Sequence, residues 1–320
     1  MDWRQVPKQP KTNLGDVLPL SQPYGIDLDP SGKCNFHCRF CPCNNESYNK
    51  ERRNTLLEFD LFLKICDDLA QFDESLRVIT LQGFGEPLLN PNLCNMAAIL
   101  RSRNLAERIV FTTNASLLTG KIECLADCGF SLIMLSLYAS DRESYRQVTG
   151  VAVNTEELRN NIENLFIKTR KGNTKLAIKL MLKSEDDDNY KVKMFKEYTD
   201  ITDYIFPYFE NNAWPDFVVS DANTKSDKNI RCYLPFIRMM INSGGYMVLC
   251  CVDWKQDVII GDLRKQSLKE IWEGEKLRNI WRDKLLGKLP VSCAACQNDT
   301  YRDDELNKSA HRILERLEKL

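Results

Sequence analysis

The chain contains 320 residues, with 44 lysines and arginines against 45 aspartates and glutamates, 13 cysteines and only two histidines. This length is enough for one large domain or two ordinary ones, and the near-neutral charge lacks the basic excess that is typical of nucleic-acid-binding domains. No apolar run reaches the roughly 20 residues of a membrane span and no secretory signal precedes the first strand, so the sequence predicts a cytoplasmic protein without nucleic-acid or membrane partners.

Strand-like and helix-like patterns alternate along the first two thirds of the chain. Residues 1–22 are polar and contain three prolines, which is typical of a loosely held arm. The alternation that follows favours a parallel sheet with crossover helices, either open or rolled into a barrel. The predicted strands are 24–29, 77–81, 108–113, 131–137, 175–182 and 204–209, and the predicted helices are 60–71, 92–102, 119–127, 141–148, 155–170 and 189–199.

The character of the sequence changes after residue 210. The polar, turn-rich stretch 211–231 predicts a linker. Residues 236–250 are typical of a β-hairpin around a Ser-Gly-Gly turn, and a single helix is predicted over 267–285. The predicted division is therefore an arm at 1–22, an α/β domain at 23–210, a linker at 211–231, a small domain at 232–300 and a packing helix at 301–320.

Three cysteines crowd the loop that follows the first predicted strand. Cys34, Cys38 and Cys41 are separated by three and two residues, at the edge of a parallel sheet where α/β folds place their sites. Three thiolates can hold a structural zinc ion with a fourth ligand, an ordinary electron-transfer cluster, or a [4Fe–4S] cluster that leaves one iron open. Cys43 is available as a fourth ligand, but Pro42 stiffens the chain between them, so the spacing favours the open cluster.

A second group of cysteines lies in the last third of the chain. Cys232, Cys250, Cys293 and Cys296 are two residues around the hairpin and one Cys-x2-Cys pair, a set that suits zinc and an iron–sulfur cluster equally well. Cys251 is next to Cys250, and neighbouring residues of a strand face opposite sides. The scattered cysteines fall in apolar helical patterns and are expected to be inert core thiols: Cys66, Cys94, Cys124 and Cys128.

The first cysteine loop resembles that of a known family. CNFHCRFCP, which begins at Cys34, is similar to the cluster-binding loop of the radical S-adenosylmethionine (SAM) superfamily. There a [4Fe–4S] cluster held by three cysteines binds SAM at its open iron, and reductive cleavage of SAM gives a 5′-deoxyadenosyl radical that abstracts a hydrogen atom. The resemblance implies a partial (β/α)6 TIM-like barrel, with Cys34, Cys38 and Cys41 as the cluster ligands.

Further motifs of this family follow in the expected order within residues 24–210. GFGEP, beginning at Gly83, is similar to the family's GGEP turn, and TTNASLL at 112–118 is similar to its third-strand element, with Ala115 in place of the usual glycine. A glycine-rich turn lets the backbone approach a ligand, and a carboxylate complements an ammonium group. The resemblance implies SAM contacts from Phe40, Gly83, Gly85, Glu86, Asn114, Ser136 and Arg146.

The last third of the chain resembles the SPASM/twitch extension of radical SAM enzymes. CYLPF at 232, GYMVLCCVDW at 245 and CAAC at 293 carry this resemblance. Because no cysteine follows Cys296, the short twitch form is implied, a small β-hairpin plus helix domain with one auxiliary [4Fe–4S] cluster. Its ligands would be Cys232, Cys250, Cys293 and Cys296.

Twitch enzymes of this size resemble those that act on sugars and aminocyclitols. We predict a small sugar-like substrate, an electron donor such as flavodoxin or ferredoxin, and, narrowly, epimerisation with Cys251 as hydrogen-atom donor. The alternatives are dehydrogenation of an alcohol with Asp253 as the base, radical modification of a ribosomal peptide, and a non-catalytic iron–sulfur or zinc protein. Tyr138 is a further polar candidate near the site.

Overall fold

The computed structural model describes residues 2–7, 12–42, 55–182, 188–209, 231–298 and 300–320, and its strands form one nine-stranded sheet. The strands are β1 (Gly25–Leu28), β2 (Leu76–Leu81), β3 (Ala106–Thr113), β4 (Leu132–Leu137), β5 (Lys175–Leu182), β6 (Tyr204–Phe209), β7 (Arg238–Ile241), β8 (Tyr246–Val248) and β9 (Ile259–Asp262). Their order in the sheet is β6-β5-β4-β3-β2-β1-β7-β8-β9. Neighbours from β6 to β7 are parallel, whereas β7, β8 and β9 are antiparallel.

Helices lie between the parallel strands along the chain, and others precede β1 and follow β9. They are α1 (Leu14–Val17), α2 (Phe59–Leu69), α3 (Leu93–Ser102), α4 (Ile122–Asp127), α5 (Arg142–Thr149), α6 (Thr155–Thr169), α7 (Asp188–Tyr198), α8 (Leu234–Ile237), α9 (Leu268–Trp272), α10 (Glu275–Leu285), α11 (Val291–Ala295), α12 (Asp304–Lys308) and α13 (Ala310–Leu317). The parallel sheet with crossover helices is that of a partial TIM-like barrel, so the predicted fold class is confirmed. None of the described helices is long and apolar enough to cross a bilayer.

Alternate residues of each strand contribute to two different apolar clusters. Ile133 and Leu135 of β4 belong to the main core between the sheet and the helices. Leu132 of β4 and Ala177 of β5 belong to a separate cluster with Val110 of β3, on the opposite face of the sheet. We call this opposite face the inner face. Because side chains alternate along a strand, even-numbered positions of β4 and odd-numbered positions of β5 lie on it.

The predicted β-hairpin is present as β7 and β8, and its strands continue the sheet of the barrel. β7 lies parallel to β1, with Gly25 opposite Arg238 and Asp27 opposite Met240. The first strand of the chain therefore has the hairpin on one side and β2 on the other. The division of the chain into domains at 22, 210, 231 and 300 stays a prediction, and Cys43 and residues 211–230 of the linker lie outside the described residues.

Two helices that the sequence pattern predicts as continuous are each divided. The segment 267–285 breaks at Gly274, which has an extended conformation and begins α10. A Cβ at Gly274 would lie 2.8 Å from the Glu270 carbonyl oxygen, so glycine permits the tight passage between α9 and α10. The terminal segment is similarly divided at Ser309 into α12 and α13.

The expectation of four inert core thiols is half correct. Cys66 and Cys128 are buried and unpaired with other cysteines. Cys94 and Cys124 are joined by a disulfide bond between α3 and α4, with their Cα atoms 6.1 Å apart. The prediction is wrong for this pair because both residues face the gap between two neighbouring helices, a proximity that the pattern within each helix does not encode.

Candidate active site

The first cysteine loop lies at the carboxyl end of β1 and is fixed to the end of α5. The backbone N–H of His37 donates to the Thr149 carbonyl at 2.7 Å, and that of Arg39 donates to the Val148 carbonyl at 3.0 Å. Helix α5 ends at Gly150, whose φ of 74° only glycine adopts freely, and a Cβ there would lie 3.1 Å from the Cβ of His37. The loop is thus held against the barrel on both sides of Cys38.

The three thiols of this loop lie close enough to influence one another. Burial raises the pKa of Cys38, and the neighbouring Cys41 and Cys34 raise it further. Among the described residues, no three His, Cys, Asp or Glu side chains are close enough to hold one metal ion. Loading a metal centre at these thiols must release their protons.

Aromatic rings border the cysteine loop. Phe40 stacks on Tyr138 with ring centroids 5.6 Å apart, and Phe36 meets the same ring edge-on at 6.0 Å. Burial, with Cys38 and Glu86 nearby, raises the pKa of Tyr138 well above its usual range. Tyr138 therefore borders the site as a phenol, and a catalytic role for it stays a prediction.

Glu86 is a buried carboxylate without a cationic partner in the part of the chain that the structure describes. It is 2% exposed, and its oxygens accept hydrogen bonds from the Thr113 hydroxyl and the Asn114 N–H, both at 2.7 Å, and from the Leu88 N–H at 3.0 Å. Burial raises the pKa of Glu86, and no lysine or arginine of the described residues opposes this rise. A buried carboxylate of this kind suits a ligand with an ammonium group, as the amino group of SAM would provide.

The glycines of the GFGEP turn approach the protein itself. A Cβ at Gly83 would lie 2.1 Å from the Asp29 carboxyl carbon, and one at Gly85 would lie 2.2 Å from the Ser31 and Lys33 carbonyl oxygens. The turn thus packs against the loop after β1 and brings Glu86 beside the cysteine loop. Contact of Gly83 and Gly85 with SAM stays a prediction.

The other predicted SAM contacts fall into two groups. Asn114 is buried and donates to the Asn35 Oδ1 at 2.9 Å, next to Ala115, whose φ of 63° explains why glycine is usual at that position. Ser136 is buried on the inner face of β4. Arg146 lies in the middle of α5 with an exposed side chain, apart from these residues, and its contact with SAM stays a prediction.

The inner face also carries charged and polar residues that the sequence analysis missed. Arg238 of β7 donates to Asp27 of β1 at 2.6 Å and to the Thr80 hydroxyl at 3.0 Å, while its Nε is buried without a hydrogen-bond partner. Thr112 donates to Gln82 at 2.9 Å on the neighbouring strands. Polar residues inside otherwise apolar strands, such as Asp27 in YGIDLD, were the available signal.

Lys179 is the second missed residue of the inner face. It lies on β5 opposite Ser136 of β4 and Phe206 of β6, and its ammonium group is 4.4 Å from the ring centroid of Tyr208. Burial lowers the pKa of Lys179 to about 8, and the side chain nevertheless keeps part of its surface accessible. Among the described residues it forms no ion pair, so a substantial fraction of Lys179 is neutral near pH 8.

The second group of cysteines lines a cavity of about 220 Å³ at the start of β7. Cys232, Cys250, Cys293 and Cys296 all face it. Burial raises the pKa values of Cys232 and Cys250, and the other thiols of the set raise them further. Four thiols around one enclosed space fit the ligand set of an auxiliary iron–sulfur cluster.

Cys250 and Cys251 face different surroundings. Cys251 is not among the residues that line the auxiliary cavity. It packs with Cys41 against an apolar cluster of Phe84, Met240, Val248 and Trp254. Burial and the nearby Asp27 raise the pKa of Cys251 to about 12. Cys251 therefore lies between the two groups of cysteines.

Asp253 lies at the auxiliary cavity and not on the inner face of the sheet. Its carboxylate lines the auxiliary cavity, accepts the Ser292 hydroxyl at 2.6 Å, and accepts the N–H groups of Asp257 and Val258 at 3.4 and 3.3 Å. These contacts cap a turn and fix the start of α11. Asp253 is thus engaged in structural contacts beside the auxiliary cysteines, and its role as the base stays a prediction.

Two sequence families match this chain. Residues 28–191, just over half of the chain, match the Radical SAM superfamily. Residues 232–297 match SPASM, an iron–sulfur cluster-binding domain. These matches contain the two groups of cysteines described above.

Curated relatives match either part of the chain or nearly all of it. The chain is 33% identical over 111 residues to a tungsten-containing aldehyde ferredoxin oxidoreductase cofactor-modifying protein of Pyrococcus furiosus, a match that covers 34% of this chain and 29% of that protein. It is 20% identical over 284 residues to the S-adenosyl-L-methionine-dependent 2-deoxy-scyllo-inosamine dehydrogenase of Niallia circulans, which covers 88% of this chain and 95% of that protein. The chain thus spans less than a third of the first relative and nearly all of the second.

A solved structure has the same fold. The crystal structure of BtrN in complex with AdoMet and 2-DOIA superposes with a TM-score of 0.58 at 16% identity, covering 88% of this chain and 96% of that one. At this identity the similarity establishes the architecture alone.

Proposed function

The chain belongs to the radical SAM superfamily and carries a SPASM domain, and from this premise we propose that it dehydrogenates a secondary alcohol of a polyhydroxylated small molecule. Membership makes it an enzyme that uses SAM, a SAM-binding [4Fe–4S] cluster and an auxiliary iron–sulfur cluster, rather than the non-catalytic carrier considered above. An aminocyclitol or related carbohydrate is the substrate class that we propose.

The reaction removes one hydrogen atom, one proton and one electron from the substrate. When bound, SAM and a [4Fe–4S] cluster on Cys34, Cys38 and Cys41 would supply the 5′-deoxyadenosyl radical that takes the hydrogen atom from the carbinol carbon, after one-electron reduction by an external donor. An auxiliary cluster on Cys232, Cys250, Cys293 and Cys296 would accept the electron of the substrate. The hydroxyl proton leaves to a base of the protein, and a ketone remains. The residues of this chain bind the substrate, orient it and accept that proton.

The observation that carries the proposal is an accessible, polar inner face next to the two groups of cysteines. Arg238 and Lys179 offer cationic donors, Asp27 is an acceptor, and Gln82 and Thr112 have both kinds of group. The side chains of Gln82, Thr112, Lys179 and Arg238 all keep accessible surface. Such a wall suits a ligand with several hydroxyl or amino groups. A dehydrogenase of an aminocyclitol that matches nearly the whole chain supports the same substrate class.

We propose Lys179 as the base. Its neighbours on β4 and β6 are Ser136 and Phe206, so no charged residue of the adjacent strands holds the ammonium form. Its pKa of about 8 lies near physiological pH, as efficient general-base catalysis requires. Ser136, opposite it in the sheet, is a residue for which the family resemblance implies contact with SAM, so a proton acceptor at Lys179 would lie near the carbon from which the hydrogen is removed.

Epimerisation, the narrow preference of the sequence analysis, finds no support among the relatives reported above. It needs a hydrogen-atom donor, and Cys251 is the candidate thiol. The two reactions differ in where hydrogen comes from, because an epimerase returns a solvent-exchangeable hydrogen to carbon and a dehydrogenase returns none.

The test is an anaerobic reaction with SAM, dithionite and a panel of aminocyclitols and sugars that begins with 2-deoxy-scyllo-inosamine. We expect a ketone product, and transfer of deuterium from the reacting carbon of a labelled substrate into 5′-deoxyadenosine. In deuterated water we expect no deuterium on carbon, with Cys251→Ala still forming ketone. A product epimer carrying solvent deuterium, lost in Cys251→Ala, would establish epimerisation instead.

A further inference from the structure

Helix α10 carries a lysine on its buried side. The buried residues of this helix are Leu277, Trp281, Lys284 and Leu285, which lie on one face at helical spacing. Lys284 is 2% exposed. An ammonium group in such a position costs several kcal/mol unless an anion or suitable acceptors compensate it.

The ammonium group of Lys284 points at the auxiliary cysteines. Its Nζ donates to the Cys293 Sγ at 3.3 Å, and the residue lines the same cavity as the four thiols. Its charge also lowers the pKa of Cys232, against the effect of burial. Among the described residues, no carboxylate lies within ion-pair distance of Lys284, so the thiols are its available anionic partners.

The surrounding contacts fix Lys284 in this position. The Arg231 guanidinium donates to the carbonyls of Lys284 and Leu285 at 3.1 and 2.9 Å, which ties the end of α10 to the residue before Cys232. One turn earlier, the Trp281 ring stacks on Phe236 of α8 and its indole N–H donates to the Pro235 carbonyl at 2.8 Å. The lysine is therefore built into the wall of the cavity rather than free to leave it.

We propose that Lys284 raises the reduction potential of the auxiliary cluster. Four thiolates give an iron–sulfur cluster a net negative charge, which grows by one on reduction, and a buried cation hydrogen-bonded to a ligand sulfur stabilises the more negative form. This inference rests on the proposed function, in which the auxiliary cluster accepts the electron of the substrate radical. Lys284 acts through Cys293 and is a positioning residue rather than a catalytic one.

A redox titration of the auxiliary cluster alone tests the inference. The full chain with Cys34→Ala, Cys38→Ala and Cys41→Ala removes the first ligand set, so that after anaerobic reconstitution the remaining iron reports on the second. Potentials are read from the electron paramagnetic resonance signal of the reduced cluster. Lys284→Met removes the charge at similar length, Lys284→Arg keeps it, and Lys276→Met removes a charge from the exposed side of the same helix.

We expect Lys284→Met to lower the equilibrium constant for one-electron reduction at least tenfold, which corresponds to about 59 mV. Lys284→Arg and Lys276→Met should stay close to the unsubstituted protein. A helix-packing role alone would change the unfolding transition and leave the potential where it was, so an unchanged potential in Lys284→Met overturns the inference. If the methionine variant does not fold, Lys284→Gln provides the same comparison.

The same samples separate this inference from the proposed function. If the triple alanine variant retains no cluster, the second cysteine set does not bind one, and both proposals fail. If the cluster is bound and responds to Lys284→Met, but the intact enzyme forms no ketone from any alcohol, the inference holds and the proposed dehydrogenation fails.

Discussion

At the scale of single residues, the site depends on buried or half-buried charges that have no ion-pair partner among the described residues. Glu86 is one, because its only partners among the described residues are one hydroxyl and two backbone N–H groups. The folded state favours its protonated form more than the unfolded state does, so the unfolding free energy of the ligand-free protein should fall as pH rises from the usual pKa of a glutamate through the raised pKa of Glu86 in the folded state. A bound ligand with an ammonium group would stabilise the ionised carboxylate and so remove this loss of unfolding free energy.

The substitution Glu86→Gln tests the role of this carboxylate in SAM binding. The amide oxygen can still accept the Asn114 N–H, but the amide NH2 then faces the Leu88 N–H, so we expect the unfolding free energy of the ligand-free protein at pH 7 to fall by about 1–3 kcal/mol. SAM binding should weaken at least tenfold because the charge partner of its amino group is lost. Calorimetric titration of the reconstituted protein measures this. SAM affinity equal to that of the unsubstituted protein would contradict the assigned role.

Lys179 gives a pH dependence with a defined sign. A lysine acts as a base only when neutral, and burial lowers its pKa to about 8, so the yield of ketone per 5′-deoxyadenosine should rise about tenfold per pH unit below pH 8 and level off above it. Ser136 and Met134 of β4 and Phe206 and Tyr208 of β6 are its neighbours on the inner face.

The matched variants for this prediction are Lys179→Met and Lys179→Ala. Lys179→Met should still transfer deuterium from substrate to 5′-deoxyadenosine while its ketone yield falls at least tenfold and no longer rises with pH. Added methylamine should restore part of the yield in Lys179→Ala. An unchanged pH profile in Lys179→Met would assign the proton to another acceptor.

At the scale of elements, the turn between β2 and α3 is limited by backbone contact. A Cβ at Gly85 would lie 2.2 Å from two carbonyl oxygens of the loop after β1, and neither oxygen can rotate away as a side chain would. We expect Gly85→Ala to lower the unfolding free energy by about 1–3 kcal/mol. Gly172→Ala is the control, because a Cβ there meets nothing within 4 Å, and it should be neutral or slightly stabilising. Urea unfolding measures the stability of both variants. An equal loss of stability in both would contradict the role of backbone contact at Gly85.

The sequence predicted elements and spacings well and contacts between distant elements poorly. The cysteine spacings and the alternation of strands and helices are local properties, so the two cysteine sets and the parallel sheet were predictable. The ion pair of Arg238 with Asp27 joins residues 211 positions apart, and the disulfide joins α3 to α4, so neither follows from a local pattern. The buried position of Lys284 could have been predicted, because a lysine on the apolar stripe of α10 departs from the helical periodicity of the sequence.

At the scale of the whole molecule, the pairing of β7 with β1 brings the two cysteine sets onto one sheet. The first set follows β1, and the second surrounds the start and end of the β7–β8 hairpin, with Cys251 in the same apolar cluster as Cys41. The inner face with Lys179 and Arg238 belongs to this same sheet. A substrate bound there would lie between the group that removes its hydrogen atom and the group that accepts its electron.

This arrangement predicts that neighbouring cysteines have separable roles. Cys250 lines the auxiliary cavity and Cys251 does not, so Cys250→Ala should lower ketone formation at least tenfold while 5′-deoxyadenosine is still produced. Cys251→Ala should keep its full iron content and form ketone within a few-fold of the unsubstituted rate. Iron analysis and the ratio of ketone to 5′-deoxyadenosine measure both. If Cys251→Ala loses the auxiliary iron and Cys250→Ala keeps it, then Cys251 rather than Cys250 is the ligand of the auxiliary cluster, and the electron would reach that cluster through Cys251.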